Sequence, residues 1–252
     1  MTGKDLAGRV AVITGASRGI GAAVAKAYAA AGAHVVLVAR TVGGLEDVDD
    51  AIQAAGGKAT LMPYDLAKPD DLGKLGAALA QKFGRLDILV GNAAMLGTLT
   101  PLTHMKAKEW ERVMTVNVHA NLALLRALDP LLRASDAGRA IFTTSGLARK
   151  PLAYWGAYCT SKAALEMMVT IYAAEMEITP VKVNMVDPGL VDTAILLEAM
   201  PGGYHGPLTV RKPEDVVPVF LALASPSCAK HGEVLQASDF INLTQTRAKS
   251  HS

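Results

Sequence analysis

The sequence predicts an α/β fold, a parallel sheet with helices on both faces. Three observations point to it. Short Val/Ile-rich runs alternate along the chain with longer Ala/Leu-rich stretches of helical character. A glycine-rich turn joins the first run to the first helical stretch. Polar residues close the fourth, fifth and sixth runs, and ligands of open α/β sheets sit beyond the carboxyl ends of the strands. At 252 residues the chain has room for one large domain, and no linker or low-complexity segment divides it.

The elements follow in order. "RVAVITG" (9–15) reads as a buried strand, then a helix over 19–32. "HVVLVAR" (34–40) is the second strand, followed by a helix over 44–56. "KATLMPYD" (58–65) is a weaker strand. Pro69 with Asp70 and Asp71 then opens a helix over 69–83, the proline in the first turn and the acids at the positive dipole end. "LDILVGN" (86–92) leads to a long helix over 105–133, and "GRAIFTTS" (138–145) to one over 157–177. "VKVNMVDPG" (181–189), a helix opened by Pro213, Glu214 and Asp215 over 213–225, and a weak strand "GEVLQA" (232–237) complete the pattern. The irregular stretch 190–212, with paired glycines and bulky apolar residues, reads either as a substrate lid or as a surface excursion. The polar end 244–252 reads as a frayed, disordered tail.

Composition narrows the function. Hydrophobic residues make up 51% of the chain, which excludes a disordered one. A net charge of +2 without a Lys/Arg run argues against nucleic acid. No apolar run reaches the roughly 18 residues of a membrane span, so a soluble protein is expected. Two cysteines, Cys159 and Cys228, form no disulfide framework, and the N-terminus lacks the apolar run of a signal peptide. Both features fit the cytoplasm.

The turn "TGASRGIG" (14–21) spaces Gly15, Gly19 and Gly21 as G-x-x-x-G-x-G. Glycines let backbone approach a phosphate while a helix N-terminus offers its N–H groups. The bland alternative is a tight turn with close helix packing. Arg18 lies in the turn, and Arg40 closes the second strand where NAD-preferring sites carry an acid. Each alone reads as a solvated charge. Together they suit the 2′-phosphate of NADP(H), with NAD(H) also possible.

Ser145 closes the fifth strand. Tyr158 follows thirteen residues later and Lys162 four beyond that, so Tyr158 and Lys162 share one helix face. A free tyrosine titrates near about 10. A lysine cation beside it is expected to lower that value and make the phenol an acid–base group for a carbonyl or alcohol. Ser145 could donate to the same oxygen. The alternative is a core tyrosine bonded to backbone. Tyr154 and Trp155, one turn earlier, read as pocket wall or packing. Asn117, unfavourable within a helix, reads as a satisfied core amide or as a kink holding water. Ser145 lacks the Gly-x-Ser-x-Gly of a nucleophile elbow, which argues against a hydrolase. Met95, Leu96, Leu147, Tyr154, Trp155 and Met200 would line an apolar pocket for a hydrophobic or aromatic substrate.

In combination, "TGASRGIG", Asp65-Leu66, "NAA" (92–94), Asn117, Ser145, "YCTSK" (158–162) and "DPGLVDT" (187–193) resemble the short-chain dehydrogenase/reductase family over roughly Leu6 to Gln236. The look is closest to poorly characterised bacterial members. The resemblance implies a single-domain Rossmann-type three-layer fold with seven parallel strands and an Asn117–Ser145–Tyr158–Lys162 tetrad. It implies that Lys162 also binds the nicotinamide ribose and that Asn117 holds a relay water. The cofactor would touch Gly15, Ser17, Arg18, Gly19, Ile20 and Gly21. Further along it would touch Arg40, Asp65, Leu66, Asn92 and Ala93, then Pro188, Gly189, Val191 and Thr193. A homodimer or homotetramer built on the fourth and fifth helices is also implied, with "AALEMMVTIYAA" (163–174) apolar nearly all round. Two departures stand out. Ala94 replaces a family glycine, and a left-handed backbone there would cost about 1–2 kcal/mol. The last strand lacks a frequent Asp-Gly-Gly, which weakens the alternative of a 3-ketoacyl thioester reductase. A non-catalytic cofactor-binding regulator is the other alternative, and the complete tetrad argues against it.

Overall fold

A computed structural model describes residues 5–240; the polar end 244–252 lies outside them. Seven strands form one parallel sheet: β1 (Val10–Thr14), β2 (His34–Ala39), β3 (Lys58–Pro63), β4 (Ile88–Gly91), β5 (Arg139–Thr143), β6 (Lys182–Asp187) and β7 (Val234–Gln236). Their spatial order is β3-β2-β1-β4-β5-β6-β7. The order reverses direction between β1 and β4, and the cleft beyond their carboxyl ends is where such sheets bind ligands.

Alternating side chains divide the core between two faces. On β1, Ala11 and Ile13 face one layer, made by α1 (Gly19–Ala30), α2 (Val42–Ala54) and α8 (Val217–Ala224). Val10 and Val12 face the other, made by α3 (Leu72–Phe83), α5 (Ala120–Arg133) and α6 (Gly156–Glu175). Tyr28 on α1 is buried and donates to the Phe220 carbonyl of α8 at 2.9 Å, so its polar end is satisfied within the first layer. The edge strands β3 and β7 are only partly buried, which is why their sequence patterns are the weakest. Among the described residues no helix is long and apolar enough to cross a membrane.

Two segments differ from the sequence expectation. The helix expected over 105–133 is α4 (Ala107–Met114), a π-helical segment (Thr115–His119) and then α5. One extra residue per turn is accommodated where Asn117 turns inward, as π-bulges commonly do at functional sites. The stretch 190–212 contains a short helix, α7 (Ala194–Ala199). Its two ends are fastened together. Arg211 N–H donates to the Leu190 carbonyl at 2.9 Å, and Asp192 N–H donates to the Arg211 carbonyl at 2.8 Å.

Candidate active site

The β1–α1 turn is glycine because nothing larger fits. Gly15 and Gly19 have φ of +65° and +56°, in the left-handed region. A Cβ on Gly21 would lie 2.2 Å from the Gly15 carbonyl oxygen. The turn packs directly on the end of β4, where Asn92 joins three strands. Its Nδ2 donates to the Thr14 carbonyl at 3.1 Å, and its Oδ1 accepts from Thr143 Oγ1 at 3.2 Å. Thr14 Oγ1 in turn accepts from the Asn92 and Ala93 amides at 2.9 and 3.1 Å. Sequence reasoning missed Thr14 and Thr143 as site residues. The available signal was a hydroxyl at the last position of an otherwise apolar strand.

A cleft of about 470 Å³ runs along these strand ends. The turn contributes Gly15, Ser17, Arg18, Gly19 and Ile20 to its walls, while Gly21 lies buried behind them. Arg40 comes from the end of β2, and Asp65 and Leu66 from the loop after β3. Asn92, Ala93 and Met95 come from the β4 loop; Pro188, Gly189, Val191 and Thr193 come from the β6 loop. Arg18 and Arg40 are exposed, and neither pairs with an acid among the described residues. Ala94 also lines the cleft, and its backbone is not left-handed, so the strain considered for it is absent.

Ser145, Leu147, Trp155, Tyr158 and Lys162 form the opposite wall. Ser145 begins a single 3-10 turn over Gly146–Ala148, and its Oγ accepts from the Leu147 amide at 3.2 Å. Tyr158 and Lys162 lie in the first two turns of α6. Lys162 is only 2% exposed and donates from Nζ to the Thr143 carbonyl at 2.8 Å, with Nζ 5.8 Å from the Tyr158 ring centre. Burial holds its ammonium down at about 8.

The lowered tyrosine value expected from the sequence is not what the structure has. Burial pushes the Tyr158 phenol up to about 12, against an opposing pull from the Ser145 hydroxyl. The lysine ammonium lies 5.8 Å from the ring centre, but it is turned to the Thr143 carbonyl and loss of water dominates.

Asn117 is fully buried and does not border the cleft. Its Oδ1 accepts from the Met95 amide at 2.9 Å, and its Nδ2 donates to the Met95 carbonyl at 3.0 Å and to Ser161 Oγ at 2.9 Å. Its own carbonyl accepts from Asn121 Nδ2 at 2.9 Å. Of the two readings from sequence, the satisfied core amide is the one these bonds describe: the amide fastens the cleft-wall loop to α6 across a π-helical distortion.

Three expected pocket residues lie elsewhere. Tyr154 has φ of +74°, the one non-glycine in the left-handed region among the described residues, and its side chain is 61% exposed, away from the cleft. That turn sends Tyr154 outward and Trp155 inward, where Trp155 meets Tyr158 edge-on at 6.0 Å. Met200 closes α7 without lining the cleft; Ile195, Leu196 and Ala199 line it instead. Leu96 is buried outside it. Arg112 and Glu198 add two charges to walls expected to be apolar. Nothing in their spacing marked them.

The sequence model of the short chain dehydrogenase family matches residues 9–201. The chain belongs to the short chain dehydrogenase family. Among curated relatives of this dehydrogenase, the uncharacterized oxidoreductase YciK of Escherichia coli K12 is 35% identical over 218 residues, 85% of each chain. A solved structure of a proposed short chain dehydrogenase from Pseudomonas syringae is 41% identical, with a TM-score of 0.88, covering 93% of this chain and 96% of that one. Another, from Shigella flexneri 2a and complexed with NADP, is 34% identical with a TM-score of 0.87, covering 93% and 99%. The dehydrogenase is thus an oxidoreductase of this family with its seven-stranded sheet.

Proposed function

We propose that the protein transfers a hydride between NADP(H) and a small, mostly apolar carbonyl or alcohol, with Tyr158 as general acid and base. The observation that carries this is the meeting of Ser145, Tyr158 and Lys162 on one wall of a cleft whose opposite end holds the glycine turn and two arginines. The residues fit the cofactor. Gly15 and Gly19 line the cleft with bare backbone at the start of α1, where helix N–H groups can meet a pyrophosphate. Arg18 and Arg40 suit a 2′-phosphate, and the related Shigella protein was complexed with NADP. When bound, the nicotinamide supplies or accepts the hydride.

The protein's own groups do the rest. The Ser145 hydroxyl donates to the substrate oxygen. Tyr158 gives that oxygen a proton in reduction and takes one back in oxidation. Burial keeps the phenol protonated near neutral pH, which equips it first as the acid of reduction. Lys162 is ready to turn from the Thr143 carbonyl toward the cofactor ribose. Asn117 positions Met95 and Ser161 around them. The excursion 190–212 covers the substrate end as a lid, with Ile195 and Leu196 beside Leu147 and Trp155 as the apolar contacts. Exposed Leu122 on α5 and Met167 and Ile171 on α6 support a homodimer or homotetramer joined through those helices. We also place it in the cytoplasm.

The test is a thermal-shift titration with NADPH and NADH, then a panel of aldehydes, ketones, alcohols and an acyl thioester. NADPH should stabilise more than NADH; equal shifts would sink the two-arginine argument. Tyr158→Phe should lose about 100-fold or more in turnover while binding NADPH as before. An active Tyr158→Phe enzyme overturns the acid–base role.

A further inference from the structure

Behind the Tyr158–Lys162 pair lies a second polar cluster. Arg149 follows the 3-10 turn that Ser145 begins, and its amide donates to the Gly146 carbonyl at 3.1 Å. Its guanidinium, 40% exposed, lies between two carboxylates. One is Glu166 on α6, a single helical turn beyond Lys162. The other is Asp187 at the end of β6, reached by Nη2 at 3.0 Å. Glu166 also accepts from Thr144 Oγ1 at 2.7 Å. Asp187 accepts from Gln236 Nε2 of β7 at 3.0 Å and from the Gly189 amide at 3.1 Å. The two carboxylates are only 14% and 7% exposed, and among the described residues Arg149 is the only cation paired with either.

We propose that Arg149 is a positioning residue for the reaction. It binds Glu166 and Asp187 together, holds the Ser145 turn against α6 and β6, and offsets two buried negative charges behind Tyr158. This rests on the acid–base role proposed for Tyr158.

The electrostatic part follows from which charges bear on the phenol. Cys159 and Lys162 face it from α6, Ser145 from the start of the 3-10 turn, and Asp187 from β6; Arg149 acts on it through Asp187. Lys108, Glu109, Glu111 and Arg112 of α4 and His119 of the π-helical segment are at least partly exposed, as is Glu198 of α7. Water screens those groups, whereas the buried carboxylates act through a poorly screening interior. Asp187 opposes formation of phenolate. A carboxylate stripped of its guanidinium would oppose it more, and every oxidation turnover needs that phenolate. The clamp also joins the cofactor-side loop, through Gly189, to the Ser145 turn.

Trp155 provides a probe that needs no substrate. It stands edge-on to Tyr158 at 6.0 Å, close enough for a phenolate to quench its fluorescence. The experiment follows tryptophan fluorescence against pH in the NADP⁺-bound protein, taking the difference from Tyr158→Phe. Arg149→Gln should move the midpoint up by about half a pH unit or more, a roughly threefold loss of phenolate at a given pH. Asp187→Asn should move it down. The double variant should return near wild type, and Arg149→Lys should stay there. Circular dichroism and NADP⁺ binding check that each variant is folded; if Arg149→Gln is not, Asp187→Asn and Arg149→Lys carry the test. Midpoints unmoved in every folded variant overturn the proposal, since a merely structural Arg149 would lower thermal stability alone. A wild-type trace identical to that of Tyr158→Phe overturns the acid–base reading instead, and this inference with it.

Discussion

Asn117 grips Met95 by both of its backbone groups, accepting from the amide at 2.9 Å and donating to the carbonyl at 3.0 Å. A residue from the middle of a helical run thereby takes the place of a strand partner for a loop in the cleft wall. Its cost is the π-helical segment, and its return is a fixed Met95 in the cleft wall.

Asn117→Ala should therefore destabilise the protein by about 2–4 kcal/mol, because Met95 and Ser161 lose buried partners together. Urea unfolding measures it. A loss below about 1 kcal/mol would mean that water replaces the amide without strain.

A pH effect follows from Lys162. Burial holds its ammonium at about 8, below the ordinary 10.5. Between these values the unfolded chain carries the additional proton, so stability gains from this residue as pH rises through that window. Tyr158 acts oppositely: held up to about 12 from 10.0, it makes stability fall as pH rises between those values. Unfolding of wild type and Lys162→Met, compared from pH 7.5 to 10, should show wild type gaining ground with pH. Parallel curves would show that Lys162 titrates normally.

Arg40→Ser should weaken NADPH about 10- to 100-fold and leave NADH nearly unchanged, since one charge-assisted contact to phosphate is worth about 1.5–3 kcal/mol. Calorimetric titration of both cofactors decides it. Equal weakening would assign Arg40 to the fold and not to the phosphate.

At the glycine turn, Gly21→Ala should abolish cofactor binding and lower the melting temperature, because its methyl would lie 2.2 Å from the Gly15 carbonyl oxygen. Ala94→Gly should do the reverse of relieving strain. The backbone there is not left-handed. The added chain freedom should cost about 0.5–1 kcal/mol. A stabilised Ala94→Gly protein would contradict the described backbone.

The layers and strand ends were legible because burial imposes them on composition. Val10 to Thr14 must be apolar to lie between two helix layers, and a run of that kind is visible in sequence. Spacing likewise brought Tyr158, Lys162 and Ser145 together. What stayed hidden depended on direction. Nothing in "AYWGAY" says that Tyr154 adopts a left-handed turn and faces solvent while Trp155 faces the cleft. The tyrosine's proton affinity was misjudged because Lys162 is near in sequence, whereas its bond to Thr143 and the depth of both groups appear only in three dimensions. The ring of Arg149, Glu166 and Asp187 draws on three separate elements, so no local pattern announces it.

The two hydrogen bonds between Leu190–Asp192 and Arg211 have a consequence for how this enzyme can diversify. They fasten the two ends of the excursion together beyond β6, so residues 193–210 depart and return at one point. Lengthening such a closed loop is entropically cheap, about 0.6 kcal/mol per doubling. The segment is thus a removable cassette. Under the lid role proposed above, a stretch of different length and side chains between the same two anchoring bonds would change which molecules fit while the strands and the tyrosine below keep their places.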